Sequence, residues 1–145
     1  MRRKQVWRYY CDFCKKAGCS GGHLKRHEER CTLNPNRVCG VCVMMQWDDE
    51  QADLATLIGM LPNPDEFKTI ERSEYGDEYE THGDLWNTVA AVLPQVRKAA
   101  NNCPACILAA LRQARIPLPI DGFDYKAETR SMMDDYVSSN EREHY

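Results

Sequence analysis

A chain of 145 residues, 43% hydrophobic and 28% charged, suits one ordinary domain or a small domain with an appendage. Apolar stretches such as CILAAL at 106–111 are far too short to cross a bilayer, and the basic start MRRKQVWRYY is followed by no apolar run of the secretory kind. The net charge of −3 conceals a split: residues 1–37 carry ten Lys and Arg against three Asp and Glu, and residues 38–145 carry nine against nineteen.

A soluble, cytoplasmic protein is therefore expected, with a basic interaction surface joined to an acidic body. Eight cysteines in a chain without an export signal point to metal binding or redox chemistry rather than to disulfides.

Cys11 and Cys14 are spaced C-x2-C, twelve residues separate Cys14 from His27, and Cys31 completes an H-x3-C pair. A C-x2-C turn presents two thiolates from one knuckle, and residues four apart share a helix face. The four can therefore converge as the sulfur and nitrogen tetrahedron that zinc prefers in closed structural sites. Ser20 is a natural N-cap for a helix from Gly21 to about Arg30, although Gly21 and Gly22 are poor first-turn residues.

Tyr9, two before the first cysteine, and Leu24, three before His27, stand where a standard zinc finger keeps its small core. On these residues the stretch 7–31 resembles the standard two-Cys, two-His finger family in its variant with a final Cys. The run YYCDFC is similar to the knuckle of the spliceosomal C-protein and matrin type. The resemblance implies one zinc ion. The stretch departs from the family in KKAGCSGG, which lacks the aromatic that family keeps before the Leu; Trp7 or Phe13 is expected to supply that packing. Cys19 and His23 are left over. A ligand set of Cys11, Cys14, His23 and His27 would leave eight residues in the loop and would move Leu24 off its core position.

If the finger docks as that family does, its base-reading positions fall on Ser20, His23 and Arg26, of which Arg26 suits guanine. Arg2, Arg3, Lys4, Lys15, Lys16, Lys25 and Arg30, with Arg8 and Arg37, would bind phosphates without sequence choice. Lone fingers also serve as protein-binding modules.

A second set of knuckles follows. VCGVC supplies Cys39 and Cys42, and after a gap of 60 residues NCPAC supplies Cys103 and Cys106. Two C-x2-C pairs make a four-thiolate zinc site even though the gap exceeds the usual spacing of about 15 to 20 residues. Loop closure costs rise slowly with length, so a long loop is tolerated. The apolar spacing from Asp48 to Leu61 predicts one helix, with the acidic run Asp48–Glu50 at its start. PNPDEF breaks it, and acidic residues 65–83 read as an irregular connection. A second helix follows Asp84, with a kink expected at Pro94. Cys103–Pro104 opens a third, which IPLPIDG stops. The tail from Phe123 to Tyr145 reads as a helix with Tyr125, Met132, Met133, Tyr136 and Val137 near one face, which would pack on the body or fill a partner's groove.

The expected fold is mainly α: a basic finger module at 1–37, a helical domain at 38–120 closed by four cysteines, and a helical tail at 121–145. Two zinc ions are expected. No enzyme is expected, because no phosphate-cradling loop or nucleophile elbow occurs, ETHGDLWNT does not match a zinc-supported His-nuclease, and four-ligand zinc has no open position. C-P-x-C opening a helix is also how thioredoxin-like proteins present a reactive pair, but those need strands that are missing here. The run C-x2-C, H-x3-C, C-x2-C further resembles small uncharacterised zinc-finger proteins of phages and prophages, which would place the chain in the host cytoplasm or the virion. Three readings follow: a zinc protein binding nucleic acid, a protein-binding adaptor or phage-assembly component, and a dithiol redox protein.

Overall fold

Six helices and two short antiparallel hairpins form among residues 1–47 and 51–142, the part of the chain that this computed structural model describes. In order they are β1 (Tyr9–Tyr10), β2 (Ala17–Gly18), α1 (Gly21–Arg30), α2 (Gly40–Met45), α3 (Leu54–Met60), β3 (Thr69–Arg72), β4 (Glu78–Thr81), α4 (Leu85–Ala99), α5 (Pro104–Gln113) and α6 (Tyr125–Arg142). The mainly helical expectation holds.

The N-terminal segment read above as a finger, and so labelled below, is β1, β2 and α1. Tyr9 pairs with Gly18 and Tyr10 with Ala17. Ser20 caps α1, its hydroxyl accepting from the His23 N–H at 3.4 Å. Gly21 has a reason to be glycine: a Cβ there would lie 3.3 Å from the Tyr9 ring. Tyr9 therefore rests on the start of the helix, but it is 45% exposed rather than part of a core. Trp7 and Phe13 do not replace the missing aromatic, being 85% and 40% exposed. What is buried is Cys11, Leu24 and Cys31, with Cys14 against them.

The body is built around α5, whose residues Ile107, Leu108, Ala110 and Leu111 pack with Leu57, Leu61, Leu85, Val89, Leu93 and Val96 in one apolar core. Ala109 and Ala110 are fully buried, so neighbouring helices approach closely. α4 runs through Pro94, which sits on its exposed side. Asn101 and Asn102, both left-handed, turn the chain from α4 into α5; asparagine tolerates that conformation better than most residues.

Three segments differ from expectation. The helix foreseen over 48–61 begins only at Leu54, because the Asp53 side chain accepts from the Thr56 N–H at 2.8 Å and caps it there; Asp48–Glu50 lies outside the described residues. An unforeseen short helix, α2, forms immediately after Cys39. Residues 65–83 are not an irregular connection. After a single 3-10 turn at Pro64–Glu66, β3 and β4 pair from Thr69↔Thr81 to Arg72↔Glu78, and Gly76, with φ of 87°, makes the turn. Its strand residues are exposed apart from half-buried Thr81. Cross-strand polar pairs hold the ribbon, among them Lys68–Glu80 at 2.8 Å and Arg72–Glu78 at 3.0 Å, so no apolar alternation marks it.

The tail helix α6 is held by Arg97. Its guanidinium donates to both carboxylate oxygens of Glu128, at 2.9 and 2.6 Å, and lies over the Phe123 ring. The packing face differs from the one expected. Glu128, Thr129, Met132 and Tyr136 are half-buried, whereas Tyr125, Met133 and Val137 are exposed.

The finger and the body touch through the segment that joins them. Arg112 donates to the Thr32 hydroxyl at 3.0 Å, and Gln113 Nε2 donates to the Thr32 and Asn34 carbonyls at 2.9 and 3.0 Å. Arg37 reaches the Ala105 carbonyl at 3.4 Å.

Candidate metal centres

Two groups of four ligands come together: Cys11, Cys14, His27 and Cys31, and Cys39, Cys42, Cys103 and Cys106. Within each, the ligand atoms all lie within 4.8 Å of one another.

In the first, the knuckle orients both sulfurs through backbone donors. The Phe13 N–H points to Cys11 Sγ and the Lys16 N–H to Cys14 Sγ, each at 3.4 Å. The Lys16 N–H holds the Cys14 thiol below its ordinary pKa, whereas burial raises that of Cys31. His27 presents Nε2 at 3.2 Å from Cys14 Sγ, and Cys31 closes the set from the C-cap of α1. Around it, Glu28 ties helix to knuckle by accepting from the Asp12 N–H at 2.9 Å, and its carbonyl accepts from the Asn34 amide at 2.8 Å. Cys19 and His23 are exposed and stand outside the set, which leaves His27 as the helical nitrogen ligand.

In the second, each knuckle opens a helix: Cys39 is the N-cap of α2 and Cys103 the N-cap of α5. The sulfurs of Cys39 and Cys103 are 3.7 Å apart, Cys42 and Cys103 3.6 Å, and Cys42 and Cys106 3.4 Å. Tetrahedral bonds of about 2.3 Å would space four sulfurs about 3.8 Å apart, so the set fits one ion. Hydrogen bonds from the Cys103 and Cys106 thiols hold Cys39 far below the ordinary thiol pKa. Burial pushes Cys42 up. For Cys103 the Cys106 contact lowers the value, but the Cys39 contact and burial prevail and push it up to about 12. Cys106 is raised by Cys103, by Cys39 and by burial.

One neighbour carried no sequence signal. Gln51 lies against this cluster with Oε1 at 3.0 Å from Cys42 Sγ and 3.6 Å from Cys106 Sγ. Its Nε2 is buried without a partner among the described residues.

Of the residues considered for nucleic acid, Lys16, Ser20 and His23 line one pocket together with Ala17, Gly18, Cys19 and Leu24. Arg2, Arg3, Lys4, Lys15, Lys16, His23, Lys25, Arg26 and Arg30 are all exposed, as is Ser20, whose hydroxyl is engaged in capping α1. No family model, curated protein or solved structure matches the chain. The chain is mainly helical and carries two Cys-rich clusters that could hold metal ions. No helix among the described residues is long and apolar enough to cross a membrane.

Proposed function

We propose that this chain is a non-enzymatic protein with two structural zinc ions, and that its basic N-terminal finger binds nucleic acid. Tetrahedral sites of four sulfurs, or of three sulfurs and one imidazole, suit zinc. With all four positions taken by protein ligands, neither site keeps a place for substrate.

The observation that carries the nucleic-acid reading is the surface of the finger. Its cations from Arg2 to Arg30 are exposed, whereas Arg37 is half-buried and donates to the Arg30 and Ala105 carbonyls, and among the described residues none is paired with a carboxylate. Trp7 and Tyr10 stand beside them, 85% and 66% exposed, and aromatic faces next to cations can stack bases. Phosphate contacts of this kind give affinity without sequence choice and weaken with salt. The test is binding of the zinc-loaded protein to labelled duplex DNA and single-stranded RNA across a salt series. The reading expects steep salt dependence, reduced in slope and affinity by Lys25→Glu with Arg26→Glu. Absence of binding at low salt would overturn it.

A second reading, an adaptor or phage-assembly component that binds protein, is favoured by the β3–β4 ribbon, which exposes Ile70, Tyr75 and Tyr79. A stable hetero-complex without nucleic acid would support it. A dithiol redox role is less well supported, because Cys103 and Cys106 share their cluster with Cys39 and Cys42; metal analysis finding zinc at two per chain would count against it.

A further inference from the structure

We propose that Gln51 is a hydrogen-bond donor to the sulfurs of the second cluster, a positioning residue that helps the site retain its metal. The inference rests on the metal reading above and adds to it a residue outside the ligand set.

Cys42 is buried to 4% exposure, so water cannot readily solvate its sulfur. The side-chain amide of Gln51 sits against it instead, with Oε1 at 3.0 Å from Cys42 Sγ and 3.6 Å from Cys106 Sγ. A metal-bound thiolate only accepts hydrogen bonds. An amide oxygen facing two such sulfurs would set lone pairs against lone pairs.

The other end of the same group has the opposite fault. Nε2 carries two N–H donors, and it is buried with no partner among the described residues; leaving buried donors unpaired costs about 1–3 kcal/mol. A half-turn of the amide resolves both faults. Oxygen and nitrogen exchange places within an unchanged envelope, as amides of this kind permit. Nε2 then faces Cys42 and Cys106, with one N–H available for each sulfur. A single amide oxygen is left without a donor, in place of two unpaired N–H groups.

The consequence is electrostatic. Four thiolates around one divalent ion keep a net charge of about −2, here in a largely buried site. N–H donors aimed at the sulfurs spread that charge and hold the ligands in place, as groups hydrogen-bonded to metal ligands do elsewhere. Because the Gln51 amide lies against Cys42 and Cys106, both ligands of the second cluster, its effect is expected there and not at the first.

The test loads the full chain, labelled with nitrogen-15, with cadmium-113. In the wild type a through-hydrogen-bond coupling is expected between the cadmium of the four-sulfur site and the Gln51 side-chain amide protons. Chelator competition should then show Gln51→Met weakening that site about 10- to 100-fold. Gln51→Glu should weaken it further, since it turns a carboxylate on the sulfurs. The first cluster should be unchanged in both variants. Absence of the coupling overturns the donor role even if the variants lose affinity, because packing alone would explain that loss. Equal retention in wild type and Gln51→Met overturns it as well. A protein that gives no four-sulfur cadmium signal overturns the metal reading, and the proposal with it.

Discussion

The first cluster draws its ligands from residues 11–31 and has almost nothing else to stand on. The buried set there is Cys11, Leu24 and Cys31, so Leu24 is the one buried apolar side chain that is not a ligand. The second joins residues 39–106 at the edge of an apolar core that has thirteen buried side chains among the described residues. In the finger a metal would substitute for a core. In the body it would fasten the chain of residues 39–42 to a helix that already has one. The same ligand chemistry is therefore expected to have very different weight in the two regions.

The largest effect should come from removing metal from the finger. Structural zinc contributes roughly 10–16 kcal/mol of apparent binding free energy in isolated fingers, more than a segment of this size can recover from one buried leucine. A chelator, or Cys11→Ser, should erase the dispersed amide resonances of residues 9–31 while those of α4 and α5 persist. If the finger resonances survive, the metal is not its core.

In the body the contrast should reverse. Leu111→Ala truncates a fully buried side chain and should cost about 2–5 kcal/mol, read as a lower denaturation midpoint. Cys103→Ser, by opening the clasp, should lower the melting temperature and loosen the packing around α5 without abolishing helical circular dichroism. Unchanged thermal unfolding in both Cys39→Ser and Cys103→Ser would show that the clasp does not support the body.

Both clusters were legible in the sequence because spacing encodes them: a knuckle is local, and His27 and Cys31 lie one turn apart. Their neighbours were not. Gln51 reaches Cys42 and Cys106 through the tertiary path of the chain, and a lone glutamine after an acidic run has no pattern. The helix α4 was readable from the spacing of its apolar residues, and α5 from the proline at its first position. The β3–β4 ribbon was not, because a strand pair with no buried face has no reason to alternate apolar and polar residues. Asp53 also overrode the longer helical pattern by capping α3 locally.

The comparison can be sharpened by pH. Metal-bound cysteines are thiolates, so uptake displaces protons. In the metal-free second cluster Cys42, Cys103 and Cys106 are raised above the ordinary thiol value, and Cys39 alone is lowered. At neutral pH three protons must therefore leave that site, and its affinity should rise by up to about a thousandfold per pH unit. The sign for folding without metal differs by group. Cys103, raised from 9.0 to about 12, favours the folded state below pH 9 and loses that contribution as pH climbs towards 12. Cys39, lowered, favours it above pH 9, and the contribution is lost as pH falls through its depressed value. Calorimetric titration of zinc in buffers of different ionisation enthalpy counts the protons; release of four from this cluster would mean that Cys39 holds no thiolate in advance.

The smallest effect concerns how the two regions are joined. Gln113 places Nε2 between the Thr32 and Asn34 carbonyls, and Arg112 reaches the Thr32 hydroxyl. Each is a modest bond, worth about 1 kcal/mol net, and neither touches a ligand. Gln113→Ala should thus leave metal content and both folds intact while freeing the finger to reorient, seen as a change in the residual dipolar couplings of α1 relative to α5. Global stability should fall by only about 1 kcal/mol. If the couplings of α1 keep a single orientation with α5, the backbone of residues 32–38 holds the finger by itself. The Arg37 bond to Ala105 and the Val38 N–H bond to the Glu29 carbonyl at 2.8 Å would then be the contacts to break next.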